Sequence, residues 1–390
     1  MLQSEVETLH FVVCTAKELS VKLHRSLRYW LLSALFVFGL AACSTPASEA
    51  PTVEVVEPTV APATATSLPT LEPTATVIPT ATAITLPEDL SVIPLVYGQM
   101  SGRPYAMMID NHPDAYPQSG LNRASVVIEA LAEYGVTRFM AIFPADITAD
   151  DRPLGPVRSA RLYFVQWAMG FGAFYVHAGG SPNGLALAES TNEIINLDAL
   201  RGESSGYFFR VETAERFAPH NMYTSGAILK ERADAETTPY SRTDVGYRYA
   251  LPLPADQRGP AATISYYFLY DDAPVGWQYD PASNNYFRTR YGEVAIDEVT
   301  QAQLSTQNVV VIEVEEAPVE GDEKSRIDLK TVGSGKGIFY HDGLREEITW
   351  SKASESAPLQ ILAKDGSEVF FTAGQIWISA VPSLDNVSES

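Results

Sequence analysis

The chain has 390 residues, 46% of them hydrophobic, and carries 27 Lys and Arg against 48 Asp and Glu, a formal net charge of −21. That balance argues against nucleic acid and against a polybasic membrane contact, so any anion site has to be local, set against the global field. Its two cysteines, Cys14 and Cys43, both lie in the first 50 residues, which leaves no disulfide framework for the rest of the chain and makes core burial the basis of folding.

In chain order, the first signal is a leader. Lys22, Arg25 and Arg28 precede an apolar run from Tyr29 to Ala42 that ends in "LAAC". A basic region, a short apolar stretch and small residues before the cut describe a secretory signal. The apolar run is too short to span a bilayer, which takes about 20 residues. The cysteine after the small pair matches the lipobox of bacterial lipoproteins. That match implies cleavage before Cys43, lipid on its thiol and an extracytoplasmic protein anchored to the cell membrane. Residues 1–42 are therefore read as signal peptide, with residues 1–21 an extension that a start codon placed too early would produce. Residues 43–94 hold the lipidated cysteine and a Pro/Thr/Ala stretch without Lys or Arg between 44 and 90, the composition of an extended linker.

The first folded unit is placed at residues 95–250. "RPYAMMID" (103–110) reads as a strand, and "SVVIEALAEYGVTRFMAIF" (125–143) as a β-hairpin broken at Gly135, with a helix over 125–134 as the competing reading. A helix is expected to start near Pro156. "AFYVHA" (173–178) is a strand, and "GGSPNGLALAES" (179–190) a turn and helix with Ser181 as N-cap and Pro182 at the first helical position. Alternating strands and helices predict an α/β (or α+β) domain. From 262 to 384 seven strand-like runs alternate with Gly, Asp and Asn turns, predicting a smaller β-rich domain, read as a small sandwich or barrel.

Several stretches carry possible chemistry. In "LGPVRSAR", Arg158 and Arg161 would occupy the first turn of the helix at Pro156. Cations are unfavourable there unless an external anion sits between the guanidinium forks and the free N–H groups. Pairing with Asp146, Asp150 or Asp151 is the structural alternative. In "YVHAGGSPNG", Gly179 and Gly180 allow close backbone approach to a ligand, beside Ser181. A serine-hydrolase elbow is excluded because Pro182 lacks the N–H that its oxyanion hole requires. Asp110, His112 and Asp114 in "IDNHPD" form a weak metal candidate, or a base set in a turn. "RFAPHNMYTS" adds His220 and Asn221. "GSGKG" (333–337) lacks the Ser or Thr of a phosphate loop and reads as a hairpin turn. The aromatic series from Tyr266 to Tyr291 reads as core rather than a sugar-stacking face. No cofactor motif is present.

"RPYAMMIDNHPDAYPQSGL", "EYGVTRFMAIF", "GPVRSAR", "YVHAGGSP" and "RFAPHNMYTS", taken in order, resemble the YerB-like lipoproteins, a bacterial envelope family of unknown function. "GWQYD", "GSGKG" and "TWSK" resemble that family's separate C-terminal domain. The resemblance implies a two-domain extracytoplasmic lipoprotein and supplies no catalytic residues. The residues themselves suggest binding, or processing, of an anionic phosphate- or carboxylate-bearing envelope glycan or lipid-linked precursor. Arg158, Arg161, Gly179, Gly180, Ser181 and Asn221 would bind it, with Asp110, His177 and His220 for acid/base work. The alternative is a non-catalytic scaffold acting through the β-rich domain. Neither reading decides whether the chain is an enzyme.

Overall fold

The computed structural model describes residues 92–213 and 215–390. The leader, Cys43 and the Pro/Thr linker fall outside them. Among the described residues no helix is long and apolar enough to cross a membrane.

The N-terminal part alternates strands and helices. Its strands include β1 (Tyr105–Asp110), β2 (Val126–Glu133), β3 (Val136–Phe143), β4 (Phe174–His177), β5 (Ile195–Asp198) and β6 (Met222–Ser225); its α-helices among the described residues are α1 (Leu162–Phe171), α2 (Pro182–Ser190) and α3 (Gly226–Asp234). The C-terminal part holds strands and, among the described residues, no α-helix; its strands include β7 (Ala262–Tyr266), β8 (Val275–Asp280), β9 (Asn285–Arg290), β10 (Asn308–Glu313), β11 (Gly333–His341), β12 (Leu344–Lys352), β13 (Gln360–Leu362), β14 (Ile376–Val381) and β15 (Val387–Glu389).

The hairpin reading of 125–143 holds. β2 and β3 pair antiparallel, and Tyr134 and Gly135 at their turn have φ of 56° and 79°. Positive φ at both turn residues is what a right-twisted two-residue hairpin demands, and the glycine supplies it at no steric cost. Strand propensity of Val126, Val127 and Ile128 thus prevails over the helix alternative.

Ten strands form one mixed sheet in the order β13-β12-β11-β10-β14-β2-β3-β1-β4-β5. The C-terminal part therefore does not close on itself as a sandwich or barrel. β14 inserts between β10 and β2, parallel to both, so the two parts share one sheet. The reason is burial on two faces: β14 reads IWISAV, apolar on both sides and unsuited to a strand that meets water.

Period-two alternation sorts each central strand between two cores. Met108, Ile128, Val310 and Ile378 point to the face covered by α1 and α2. Met107, Val127, Val311 and Trp377 point to the other, covered by the antiparallel sheet β9-β8-β7-β15. α1 is buried from Tyr163 to Phe171, because segments around Thr331 and Pro358 from the C-terminal part close over its outer side. The glycines of "GSGKG" are not a hairpin turn. They lie within β11, where a Cβ on Gly335 would meet the Trp350 indole at 2.4 Å and one on Gly337 would meet Ile348 at 2.4 Å. Glycine is needed there for side-chain room rather than for a turn.

Candidate active site

β1 is parallel to β4 on one side and, through antiparallel β3, to β2 on the other. From β1 the chain runs to β2 and β3 on one side and later returns to β4 on the other side of β1, so the strand order reverses at β1. In open α/β sheets such a reversal opens a crevice beyond the carboxyl end of the strand. Asp110 is the last residue of β1 and stands there, 2% exposed.

Its carboxylate is shared. Oδ2 lies 2.7 Å from His220 Nδ1, and Oδ1 accepts the His112 backbone N–H at 3.1 Å. Arg158 Nε is 3.1 Å from the same Oδ2, close enough for an ion pair but off the angle of a hydrogen bond. Burial opposes ionisation of Asp110, yet the His220 bond and the Arg158 and Arg138 charges outweigh it and hold the carboxyl below its usual range. Arg158 stays partly open to solvent, and its two terminal nitrogens make no hydrogen bond among the described residues. The His112 ring stacks on His220 at 4.5 Å between centroids.

No helix starts at Pro156, which corrects the sequence reading of "LGPVRSAR". Residues 156–161 are extended and pinned between the ends of β1 and β4. Asp110 N–H donates to Pro156 O, Arg158 N–H to Met108 O, Ala178 N–H to Arg158 O and Ala160 N–H to Gly179 O. Partners on both sides outcompete a helical turn, and α1 begins only at Leu162 with Arg161 as its N-cap. The two arginines consequently part company. Arg161 is buried against Glu133: Nε donates to Oε2 at 3.1 Å and Nη2 to Oε1, while Arg138 Nη2 reaches the same Oε1 at 2.7 Å. Burial works against the Glu133 charge, but Arg138 and Arg161 overcome it and hold the carboxyl low. Asp146 and Asp151 take neither arginine, and Asp150 pairs with Arg123 and Arg152 instead. The edge thus gathers three guanidiniums, on Arg138, Arg158 and Arg161, around the buried Asp110 and the half-buried Glu133 carboxylates.

The remaining expected residues divide. His220 joins Asp110, held by its loop, whose Arg216 donates to Glu298 at 2.8 Å and to Pro117 O at 3.0 Å. Asn221 is fully buried, and its Oδ1 accepts from Arg210 at 2.7 Å. His177 is fully buried, with Nδ1 2.9 Å from Gly179 O and Nε2 2.7 Å from Asn196 Oδ1, so both ring nitrogens are occupied. Gly179 donates to Asp198 Oδ1 at 2.8 Å, Gly180 bridges Ala160, and Ser181 caps α2 on Gly184 N–H at 3.3 Å. Of the suggested metal trio, His112 and Asp114 are brought together with His220, one ligand atom from each within 4.8 Å of the others. Asp110 stands behind His220, where it would orient that ring toward an ion as a carboxylate partner does in metal sites. Tyr266, Trp277, Tyr279 and Tyr286 are buried, whereas Tyr270 and Tyr291 are exposed.

From the sequence, Glu129 and Glu133 with Arg138 read as hairpin-face partners of the cleft or as a solvated pair; sequence reasoning missed Arg288 and Asn111, which complete the support beneath the site. Glu129, fully buried, accepts from Arg288 Nη2 at 2.9 Å, Thr137 Oγ1 at 2.9 Å, Trp377 Nε1 at 3.1 Å and Asn111 Nδ2 at 3.3 Å. Asn111, next to Asp110, is held in turn by Gln118 and Tyr116. One sequence signal existed: Arg288 shares its strand face with inward-pointing Tyr286.

Two family profiles match the chain, "Protein of unknown function (DUF3048) N-terminal domain" over residues 94–241 and the corresponding C-terminal domain over residues 264–378. The chain belongs to the DUF3048 family. It is 33% identical to the Bacillus subtilis protein named "Putative lipoprotein YerB" over 74% of this chain and 84% of the relative. The crystal structure of the YerB protein from Bacillus subtilis is similar, with a TM-score of 0.63 and 31% identity, covering 74% of this chain and 94% of that one. The YerB-like resemblance read from the motifs is therefore sound. So is the order of a mixed α/β N-terminal part and a β-rich C-terminal part.

Proposed function

We propose that this DUF3048 protein is an extracytoplasmic lipoprotein, anchored through lipid on Cys43, whose head binds an anionic phosphate- or carboxylate-bearing envelope molecule at the carboxyl end of β1. The lipobox-like leader and the relative's name support the first half. The Asp110–His220–Arg158 constellation carries the second, since one buried carboxylate orients an imidazole and a guanidinium whose outer nitrogens stay open. With its Nδ1 proton directed to Asp110, His220 presents Nε2 as the group that takes or returns a proton. Arg158 supplies the fork for a phosphate or carboxylate of a glycan or lipid-linked precursor. Arg161 is left to position Arg138 and Glu133, and His177 to hold the β4 end.

The test follows the melting of the full chain in detergent with glycerol 1-phosphate, together with the NMR signal of the His220 ring. At a hundredfold excess over Kd, binding stabilises by about 2.7 kcal/mol, or roughly 4 °C for a body of about 300 residues. Arg158→Ala abolishes both that shift and the movement of the His220 resonance. A shift equal in both proteins, or an unmoved His220 signal, removes this reading and leaves the scaffold alternative.

A further inference from the structure

The other edge of the main sheet carries a second, differently built site. β2, β10 and β14 run parallel to β1, and where they begin, opposite the Asp110 edge, the surface opens into a groove of about 570 Å³. Both parts of the chain contribute to it. Its wall includes Asn122, Arg123, Arg152, Arg258, Gln303 and Gln375. No Asp or Glu and no aromatic residue lines it, although the chain holds 48 acidic residues.

Charge balance in the groove is positive. Asp150 serves two of the three arginines, with Arg123 Nη1 at 2.6 Å and Arg152 Nε at 2.9 Å. Arg258 spends Nε and Nη1 on neutral acceptors, Leu253 O at 2.9 Å and Pro281 O at 3.1 Å. Among the described residues Asp150 is the one carboxylate bonded to any of these three guanidiniums, while the buried Asp297 near Arg152 is already held by the Gly120 and Thr300 N–H groups.

The floor is preorganised. Gln375 is 2% exposed and donates Nε2 to Leu121 O at 2.8 Å and Ala124 O at 2.7 Å, while its Oε1 has no partner among the described residues. Gln307 Oε1 accepts the Gln375 N–H at 2.7 Å and passes the chain on by donating Nε2 to Asn285 Oδ1 at 2.7 Å. Gln303 is fixed by Nε2 on Arg288 O at 2.8 Å, and its Oε1 has no hydrogen-bond partner among the described residues. A buried acceptor left unmatched is costly, so the unpaired Gln375 Oε1 marks a floor whose polar groups are not fully satisfied by the protein itself.

Guanidinium forks select carboxylate or phosphate, and anchored amides and hydroxyls match sugar hydroxyls. The volume lies in the range of small-molecule sites. We propose that this groove is a second ligand site, for an anionic saccharide bearing a carboxylate or a phosphate. It stands whether or not the Asp110 edge binds an anion.

Titration calorimetry on the full chain in detergent tests it, with Arg158→Ala present so that the Asp110 edge does not contribute. Trigalacturonate and glucose 6-phosphate serve as charged probes, and maltotriose as the neutral one. At least one charged saccharide binds, about tenfold or more tighter than maltotriose, and which of them binds separates a carboxylate from a phosphate source. Adding Arg152→Gln and Arg258→Gln weakens that binding by about tenfold or more. The pair Asn122→Ala and Gln303→Ala weakens it while keeping all three arginines, which covers the case in which the first pair misfolds. Binding of neither charged saccharide, equal binding of maltotriose, or an affinity unchanged by both pairs overturns the proposal.

Discussion

Replacing Arg288 by Met tests the support on which the Asp110 site rests. Glu129 and Arg288 are 0% and 1% exposed and join β2 of the main sheet to β9 of the sheet packed on it. The guanidinium also lies 4.4 Å from the Trp377 ring centroid and 5.2 Å from that of Trp277. Removing one partner of a buried pair costs about 3–5 kcal/mol, because the other charge stays without its counter-ion. Thr137, Asn111 and Trp377 still donate to Glu129, which softens the loss, while the lost cation–π contacts add about 2 kcal/mol when desolvated. We therefore expect Arg288→Met to cost about 3–5 kcal/mol in urea unfolding at pH 7. Glu129→Gln alone costs a similar amount, since it leaves Arg288 buried and uncompensated. The double variant keeps an amide oxygen for Thr137 and Trp377 and holds no buried charge, so it recovers to within about 2 kcal/mol of the parent. Single losses below about 1 kcal/mol, or a double variant as costly as the two singles summed, would refute the reasoning.

Further outcomes are expected from the same structure. His341 bridges Asp342 at 3.0 Å and Glu346 at 3.1 Å; burial opposes its charge, but those two partners outweigh it and raise its pKa. A raised histidine stabilises below its unfolded pKa and loses that contribution as pH rises through the folded one, so His341→Gln costs more at pH 5.5 than at pH 8.5 in urea unfolding. Asp110 and Glu133 are held below their ordinary values of 3.8 and 4.5, so their stabilisation is present above those values and fades as pH falls. Glu133→Gln accordingly flattens the acid limb of the stability curve, which a pH series of thermal melts reads directly. Gly226 opens α3 with no room for a side chain, since a Cβ would lie 1.8 Å from Ile147 O. Gly226→Ala should cost about 1–3 kcal/mol by overpacking, and an unchanged melting temperature would contradict that contact.

Local signals made β1, the β2–β3 hairpin, β4, α2 and its Ser181 cap legible, because alternation, turn residues and capping are short-range properties of the backbone. The stretch after Pro156 misled for a physical reason. Its residues find hydrogen-bond partners on β1 and beside β4, elements distant in sequence, and those partners displace the helical turn. The same holds for "GSGKG", where glycine answers to Trp350 and Ile348 across β11 and β12 rather than to a turn. Charge class and family could be read from residue order alone, since composition and motifs are local patterns.

Which polar residues meet was decided in three dimensions. Asp110 and His220 are separated by 110 residues and Glu129 and Arg288 by 159, and only packing of the two parts across one sheet sets their contacts. Arg158 and Arg161, three residues apart, diverge because one faces the open end of β1 and the other the half-buried Glu133. Side-chain type and spacing dictate which chemistry a stretch carries. Burial and the sheet's long-range pairings choose the partner that each charge meets, because in a low-dielectric interior a charge without one is not tolerated.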